Sequence, residues 1–177
     1  MNIEKLNNVE LIESQNEHPS ANISSLSEDE ICILKNIYAG NKSEFTSLAQ
    51  YTYQHILTSA IAELNNFTRN IEKISIAEMR HFEIIGKILN NSSVDPKFCR
   101  YIDNNPNICN YWSSASVSFS SEISDFLNKN IELESAGIRE YLKLKSVTKN
   151  DTLEKIVDRI LEDEYLHLDF FKKCLES

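Results

Sequence analysis

The sequence predicts an all-α protein built around an antiparallel four-helix bundle, and two observations carry this prediction. The 177 residues include only three Gly and three Pro, too few for the frequent turns of a β-sandwich or barrel. Apolar residues recur at helical spacing through most of the chain, and in two segments the spacing is close to a strict heptad. A chain of this length, 41% hydrophobic, is expected to form one compact domain with a substantial core.

The short elements follow from local signals. Residues 1–26 are rich in Asn, Glu and Ser and predict a loosely ordered tail with His18 exposed, followed by a bundle domain over residues 27–177. Ser27 and Glu30 have the spacing of a capping box, which predicts a short helix ended by Gly40. The first long helix is expected to begin near Asn41.

The connections between the long helices are predicted as two hairpin turns and one crossover. The hairpin turns are centred near Ile61 and near Asn150, where Asp151-x-x-Glu154 predicts a helix start. Residues 91–111 contain Pro and Asn clusters and little periodicity, so we expect an extended crossover there. At roughly 3.3 Å per residue this segment spans a ~30 Å helix. Trp112 and the serines after it are predicted to mark the start of the third long helix.

Each heptad segment places a Glu and a His at positions that the pattern assigns to the core. The first seam comprises Ile71, Ile74, Glu78, His81, Ile85 and Ile88, and the second comprises Leu153, Val157, Ile160, Glu164, His167, Phe171 and Cys174. The other two long helices carry single glutamates, Glu44 and Glu134, on their apolar stripes. Four helices thus each bring a glutamate to the core, where an unpaired carboxylate is costly.

The two halves of the chain look like a diverged internal repeat that could bind two metal ions. Glu44-x6-Tyr51 precedes Glu78-x-x-His81, and Glu134-x6-Tyr141 precedes Glu164-x-x-His167. A spacing of three residues puts a carboxylate and an imidazole on one helix face, and a single Glu from the preceding helix can bridge to a second ion. Four carboxylates and two imidazoles suit two ions of Fe or Mn, whose charges offset the carboxylates.

Some of these residues also have simpler interpretations. A single E-x-x-H pair is common on helix surfaces, and Glu164 lies in an acidic run, Glu162 to Glu164, of the kind that is usually solvated. Tyr51 and Tyr141 are either hydrogen-bond partners of ligand carboxylates, redox-active phenols or core tyrosines. His55 is interpreted as an end-of-bundle histidine rather than a ligand. The coincidence of two E-x-x-H pairs on core seams favours the metal site.

The segments 43–51 and 76–83 resemble the first ligand helix and the E-x-x-H helix of the ferritin-like di-metal carboxylate superfamily, especially its rubrerythrin and manganese-catalase branches. The resemblance covers about residues 43–175. It implies two metal ions per chain, Fe or Mn, bound by Glu44, Glu78, His81, Glu134, Glu164 and His167. Gly137 stands where rubrerythrins carry an additional carboxylate, and the paired C-x-x-C motifs of a rubredoxin domain are absent. Both departures argue against a rubrerythrin activity.

The resemblance implies redox chemistry on hydrogen peroxide or dioxygen, by a catalase- or peroxidase-like oxidoreductase or a ferroxidase. Peroxide disproportionation fits best because it needs no external electron donor, and none can be identified from the sequence. We also expect a homo-oligomer. Two alternatives from other classes remain: a coat or assembly protein that keeps its metals as structural staples, and a bundle whose polar core residues bind nothing.

Charge and cysteine spacing exclude other kinds of site. A formal net charge of −9 disfavours binding to nucleic acid or anionic lipid and favours cations as ligands. Without a long apolar run or an apolar signal segment, the chain is expected to be cytoplasmic and free of membrane contact. The four cysteines lack zinc-ribbon spacing. We expect reduced thiols, with a disulfide between Cys99 and Cys109 as the alternative.

Overall fold

The fold, in a computed structural model that describes residues 11–176, is the predicted helical bundle. Over this range the α-helices are α1 (Glu28–Ala39), α2 (Glu44–Thr58), α3 (Asn65–Asn91), α4 (Ile123–Val147) and α5 (Asp151–Leu175). Strands β1 (Cys99–Ile102) and β2 (Asn105–Tyr111) form an antiparallel hairpin, and two short 3-10 helices cover Ala62–Leu64 and Ser114–Ser116. Helices α2 to α5 are the four long helices of the bundle.

Side-chain pairs show that neighbouring long helices run antiparallel. In the first hairpin, Thr52 of α2 bonds Ser75 of α3, and the earlier Glu44 faces the later His81. In the second, Lys145 of α4 bonds Asp158 of α5, and the earlier Glu134 faces the later His167. The turn of the first hairpin is made by the 3-10 helix Ala62–Leu64. The turn of the second is fixed by the Asn150 carboxamide, whose oxygen accepts hydrogen bonds from two backbone N–H groups at the start of α5. The predicted helix start at Asp151 is confirmed.

Helix α1 closes one end of the bundle, and its capping box is present as predicted. The Ser27 hydroxyl accepts from the Glu30 N–H at 3.3 Å, and the Glu30 carboxylate accepts from the Ser27 N–H at 2.7 Å. The helix ends at Gly40, where a Cβ atom would lie 2.5 Å from the carbonyl oxygen of Asn36. The next helix starts at Glu44, three residues later than expected, because the Ser43 hydroxyl caps it.

The connection between α3 and α4 differs from the prediction in two ways. It is folded in part into the β1–β2 hairpin, and α4 begins at Ile123 rather than beside Trp112. The intervening residues are held against α2 instead: the Trp112 indole donates to the Thr46 hydroxyl, and Gln50 exchanges two hydrogen bonds with the backbone of Ser118. These bonds and the serine-rich composition keep the segment from continuing as helix.

The predicted tail has no helix or strand between residues 11 and 26, yet parts of it are packed on the bundle. Ile12 and Ile23 are buried, and the carbonyl of Ile23 accepts from the Ser92 hydroxyl at the end of α3. Residues 1–10, which belong to the same predicted tail, lie outside the described residues.

The core consists of two apolar clusters separated by a polar layer. One cluster lies under α1 and includes Ile85, Ile88, Val157 and Ile160. The other lies toward the hairpin turn of α2 and α3 and includes Ile71, Ile74, Leu127, Phe170 and Phe171. The E-x-x-H residues of α3 and α5 fall between the two clusters along each seam, so the predicted seams are confirmed as core positions.

Two further observations on the described residues concern the cysteines and the hydropathy of the helices. The four cysteines are free thiols in the structure, and the Cys99 and Cys109 side chains contact each other across the hairpin. None of the helices in this part of the chain is both long and apolar enough to cross a lipid bilayer.

We predict that Ser27→Ala lowers the free energy of unfolding by about 1 kcal/mol, because it removes the cap of α1. Urea denaturation followed by circular dichroism measures this loss. Ser24→Ala is the matched control, because Ser24 is an exposed serine three residues away. An equal effect of both substitutions would contradict the capping role.

Candidate metal centre

The structure brings the six predicted ligands together in the polar layer at the middle of the bundle. Each long helix supplies at least one of them, and each is at most 4% exposed. The six residues are Glu44 of α2, Glu78 and His81 of α3, Glu134 of α4, and Glu164 and His167 of α5. The three-residue spacing within α3 and α5 places each Glu and His on the inward face.

The ligand atoms form two adjacent groups, each with three carboxylates and one imidazole. Glu44, Glu78, His81 and Glu164 make the first group, and Glu78, Glu134, Glu164 and His167 make the second. Within each group one ligand atom per residue lies within 4.8 Å of the others. Glu78 and Glu164 belong to both groups, whereas the sequence left open which glutamates are shared between the two ions.

Contact distances across the layer repeat in the two groups. His81 Nδ1 lies 3.2 Å from Glu164 Oε1 and 3.6 Å from Glu44 Oε2. His167 Nδ1 lies 3.0 Å from Glu78 Oε1 and 3.6 Å from Glu134 Oε2. Each imidazole therefore faces the E-x-x-H glutamate of the other hairpin at short range and a single glutamate slightly farther away.

These atoms face one another without forming hydrogen bonds. Seven buried nitrogen and oxygen atoms of the six residues lack a hydrogen-bond partner among the described residues, and they include both Nδ1 atoms and an oxygen of every glutamate. Buried polar groups are rarely left unsatisfied, since each costs about 1–3 kcal/mol. Carboxylate oxygens and imidazole nitrogens converging on two common points are a donor set that fits two divalent Fe or Mn ions.

The electrostatics of the layer point the same way. Burial, followed by the like charges of neighbouring glutamates, raises the pKa values of Glu78 and Glu164 well above the ordinary range. Burial also acts on Glu44, but the nearby His81 imidazole and the Tyr141 hydroxyl outweigh it and lower its pKa. The glutamate cluster is therefore short of positive charge, and a bound cation at each group would relieve the repulsion.

Two tyrosines hold the single glutamates in a crossed arrangement. Tyr51 of α2 donates its hydroxyl hydrogen to Glu134 of α4, and Tyr141 of α4 donates to Glu44 of α2. Each phenol thus donates its hydrogen bond to the single glutamate of the other hairpin, not to the glutamate seven residues before it on its own helix. Burial and the adjacent carboxylate raise both tyrosine pKa values well above the ordinary range, so both phenols stay protonated donors.

Asp163 orients one of the imidazoles. Its Oδ2 atom lies 3.0 Å from His81 Nε2, which leaves Nδ1 directed toward the first ligand group. The same oxygen accepts from Arg159 at 2.7 Å, and Oδ1 accepts from the backbone N–H of Ser14 at 2.6 Å. Burial opposes ionisation of Asp163, but the contacts with His81, Ser14 and Arg159 lower its pKa to about 2.

Sequence reasoning missed this orienting group. Asp163 lies in the acidic run that was interpreted as solvated, but helical spacing turns it toward α3, where it is fully buried. His18, predicted to be exposed, lies half-buried with its ring centroid 5.7 Å from that of His81. Burial and the charge of Arg159 lower the pKa of His18 to about 4.

Two histidines near the site do not join either ligand group. His18, His81 and Asp163 lie close enough together to suggest a third cation site, but the Arg159 guanidinium already neutralises this carboxylate. His55 is half-buried near the hairpin turn, with Nδ1 3.4 Å from the Thr68 carbonyl oxygen. Its predicted position at the end of the bundle agrees with this contact.

Comparison with solved structures shows that the chain shares its fold with a manganese catalase and a bacterioferritin. The chain is similar to the manganese catalase KatB from Anabaena over 94% of its own length and 80% of that chain, with a TM-score of 0.76 and 17% identity. A second structure, of wild-type KatB, matches with the same TM-score and 18% identity, over 92% of this chain and 79% of that one.

A bacterioferritin with a diiron site, from Desulfovibrio desulfuricans, has the same fold with a TM-score of 0.64 and 18% identity. This match covers 86% of the present chain and 84% of the bacterioferritin. No protein-family model and no curated protein matches the sequence. The structural neighbours thus agree with the fold expected from the sequence. At 17–18% sequence identity, the similarity establishes the fold alone.

We predict that Glu78→Gln stabilises the metal-free protein by about 1 kcal/mol or more, since a raised carboxyl pKa reports an unfavourable buried charge. The neutral amide mimics the protonated acid that this site favours. Urea unfolding in the presence of a chelator measures the change, with exposed Glu83→Gln as control. Equal stability of wild type and Glu78→Gln would mean that the carboxylates do not repel one another.

Proposed function

We propose that the protein is a di-metal oxidoreductase that decomposes hydrogen peroxide at two Mn or Fe ions. The observation that carries the proposal is the pair of buried carboxylate–imidazole groups that share Glu78 and Glu164 and leave seven ligand atoms unpartnered. The similarity to a manganese catalase supports the choice of reaction. Two divalent ions offset the four carboxylates, which an empty site leaves in mutual repulsion.

When bound, a pair of Mn or Fe ions supplies reversible exchange of electrons with an oxygen species. In peroxide disproportionation, one peroxide molecule is oxidised to dioxygen and gives two electrons and two protons, which reduce a second peroxide molecule to two waters. The reaction balances without an external donor. This matches a chain in which no C-x-x-C electron-transfer motif occurs.

The surrounding residues would hold the ligands and exclude water. Tyr51 and Tyr141 fix the two single glutamates through their hydroxyl groups, and Asp163 fixes the ring of His81. The apolar clusters on either side close the layer from both ends of the bundle. Rigid ligands in a dry layer favour controlled two-electron chemistry at the ions over leakage of reactive species.

The first test is metal content. We predict that protein loaded anaerobically with Mn(II) or Fe(II) and then desalted retains about two ions per chain, as the two ligand groups require. The Glu78→Ala, Glu164→Ala double variant loses both ions, because these residues belong to both groups. Glu83→Ala, on the surface of α3, is the control. Retention of no ion by the wild type would refute the proposal.

The second test is oxygen evolution from peroxide, with Tyr51→Phe and Tyr141→Phe as variants. Each substitution removes one hydrogen bond to a ligand carboxylate, a change in outer-shell support that typically lowers activity about 10–100-fold. We expect both ions to be retained and turnover to fall in each variant. Phe substitution at Tyr53, a half-exposed tyrosine of the same helix, is the control. Unaltered turnover would assign the phenols to packing alone.

The bacterioferritin similarity favours a second candidate, oxidation of Fe(II) by dioxygen. The same ligand groups suit both chemistries, since metal preference is not set by the donor types alone. Consumption of dioxygen by Fe(II)-loaded protein, with no evolution from peroxide, would select this candidate. Two retained ions that react with neither oxidant would instead support a structural role for the metals.

A further inference from the structure

We infer that small uncharged oxidants reach the metal centre through a narrow passage between α2 and α4, with Ser47 and Gly137 in its wall and Glu140 at its mouth. The inference rests on the proposed function and adds to it a route and a size limit. A cavity of about 10 Å³ lies beside Glu44 and Glu164, one glutamate from each hairpin. It opens the first ligand group toward the surface near the start of α2.

Gly137 keeps this cavity open. A Cβ atom at position 137 would lie 3.0 Å from Glu164 Oε2, so any side chain there would occupy the space beside the ligand carboxylate. Leu133 and the largely buried Ser47 line the same cavity. Because protein interiors are close-packed, a gap maintained beside a buried ligand requires small residues on its walls.

The narrow cavity shares lining residues with wider spaces at the surface. Glu140 and Lys42 line both the inner cavity and an outer one of about 330 Å³, which is also bordered by Arg100 and Arg139. Glu140 and Arg100 line a second outer cavity of about 530 Å³. Glu140 therefore forms part of the wall of all three spaces, and movement of its side chain would join them.

Unsatisfied polar atoms mark the mouth of the passage. Glu140 Oε2 and Arg100 Nε are buried without a hydrogen-bond partner in the described part of the chain. Lys42 is held at the rim by an ion pair with Glu132. Polar atoms of this kind are satisfied by water or by a polar ligand passing through, which is expected at the outer end of a route from solvent.

Size and charge define the substrates that this route admits. A volume of about 10 Å³ accommodates roughly one water-sized molecule, so hydrogen peroxide, dioxygen or nitric oxide passes with small side-chain movements and a branched organic peroxide does not. An ion would lose its hydration in so narrow a space, which is costly, so the cavity disfavours charged species of either sign. The route therefore selects uncharged molecules of about two heavy atoms.

Two substitutions with opposite effects test the route in Fe(II)-loaded protein. Ser47→Leu fills the inner cavity, and we expect it to slow nitric oxide binding, followed by stopped-flow absorbance without oxygen, by about tenfold or more. Glu140→Ala widens the mouth, and we expect it to raise the rate of iron oxidation by tert-butyl hydroperoxide, relative to hydrogen peroxide, about fivefold. Glu83→Ala, on the surface of α3, should change neither rate.

Metal analysis of each protein separates failure of the route from failure of the proposed function. If the wild type binds two ions and both variants behave as wild type, the route is wrong and the metal centre stands. If the wild type retains no ions, both the proposed function and the access route are refuted. Should Ser47→Leu not fold, Ser47→Val and the independent Glu140→Ala measurement decide the matter.

Discussion

Burial of four carboxylates in one layer is the constraint on which the rest of the structure depends. In a bundle closed above and below by apolar side chains, Glu44, Glu78, Glu134 and Glu164 have little water to solvate them. Their repulsion must be offset by imidazoles, phenol donors and, in the proposed state, two cations. The polar layer therefore destabilises the folded state locally, and burial of the two apolar clusters offsets this cost.

The layer was predictable from the sequence because its residues obey the helical period. Glu78 and His81, like Glu164 and His167, interrupt apolar seams at positions where only a core residue fits, and the structure places all four in the core. Their neighbours in the seams are buried as well. Periodicity carries this information because a helix turns each seam residue to the same side regardless of its chemistry.

The connection between α3 and α4 could not be predicted in the same way, because its structure depends on turn chemistry. Asp103 and Asn104 both have positive φ angles of 49° and 56°, as the two-residue turn of a β-hairpin requires, and Asp and Asn tolerate this conformation. The Asp103-Asn104 pair is a hairpin-turn signal in the sequence, but Pro96 and Pro106 on either side of it argue against strands. Asp163 was missed for another reason: its partners, Ser14 and His81, lie far from it along the chain.

The segment before α1 is more than a tail in this architecture. Ser14 and Asn16 contribute backbone atoms to the hydrogen bonds that hold Asp163 and Arg159 on α5. Because Asp163 contacts Nε2 of His81, these bonds also help to fix the orientation of the His81 ring. A stretch without helix or strand therefore takes part in fixing one imidazole of the polar layer, and its residues Ile12 and Ile23 are buried in the two apolar clusters.

The crossed tyrosines have a consequence for how the molecule comes together. Each hairpin carries an E-x-x-H pair and a single glutamate, but the phenol that anchors this glutamate is contributed by the opposite hairpin. The shared glutamates Glu78 and Glu164 also come from different hairpins. Neither half is self-sufficient, so the two groups of candidate ligands assemble only once the hairpins have docked. In the proposed di-metal state, metal retention then reports completion of the tertiary structure, and separately produced halves should regain it only when they are combined.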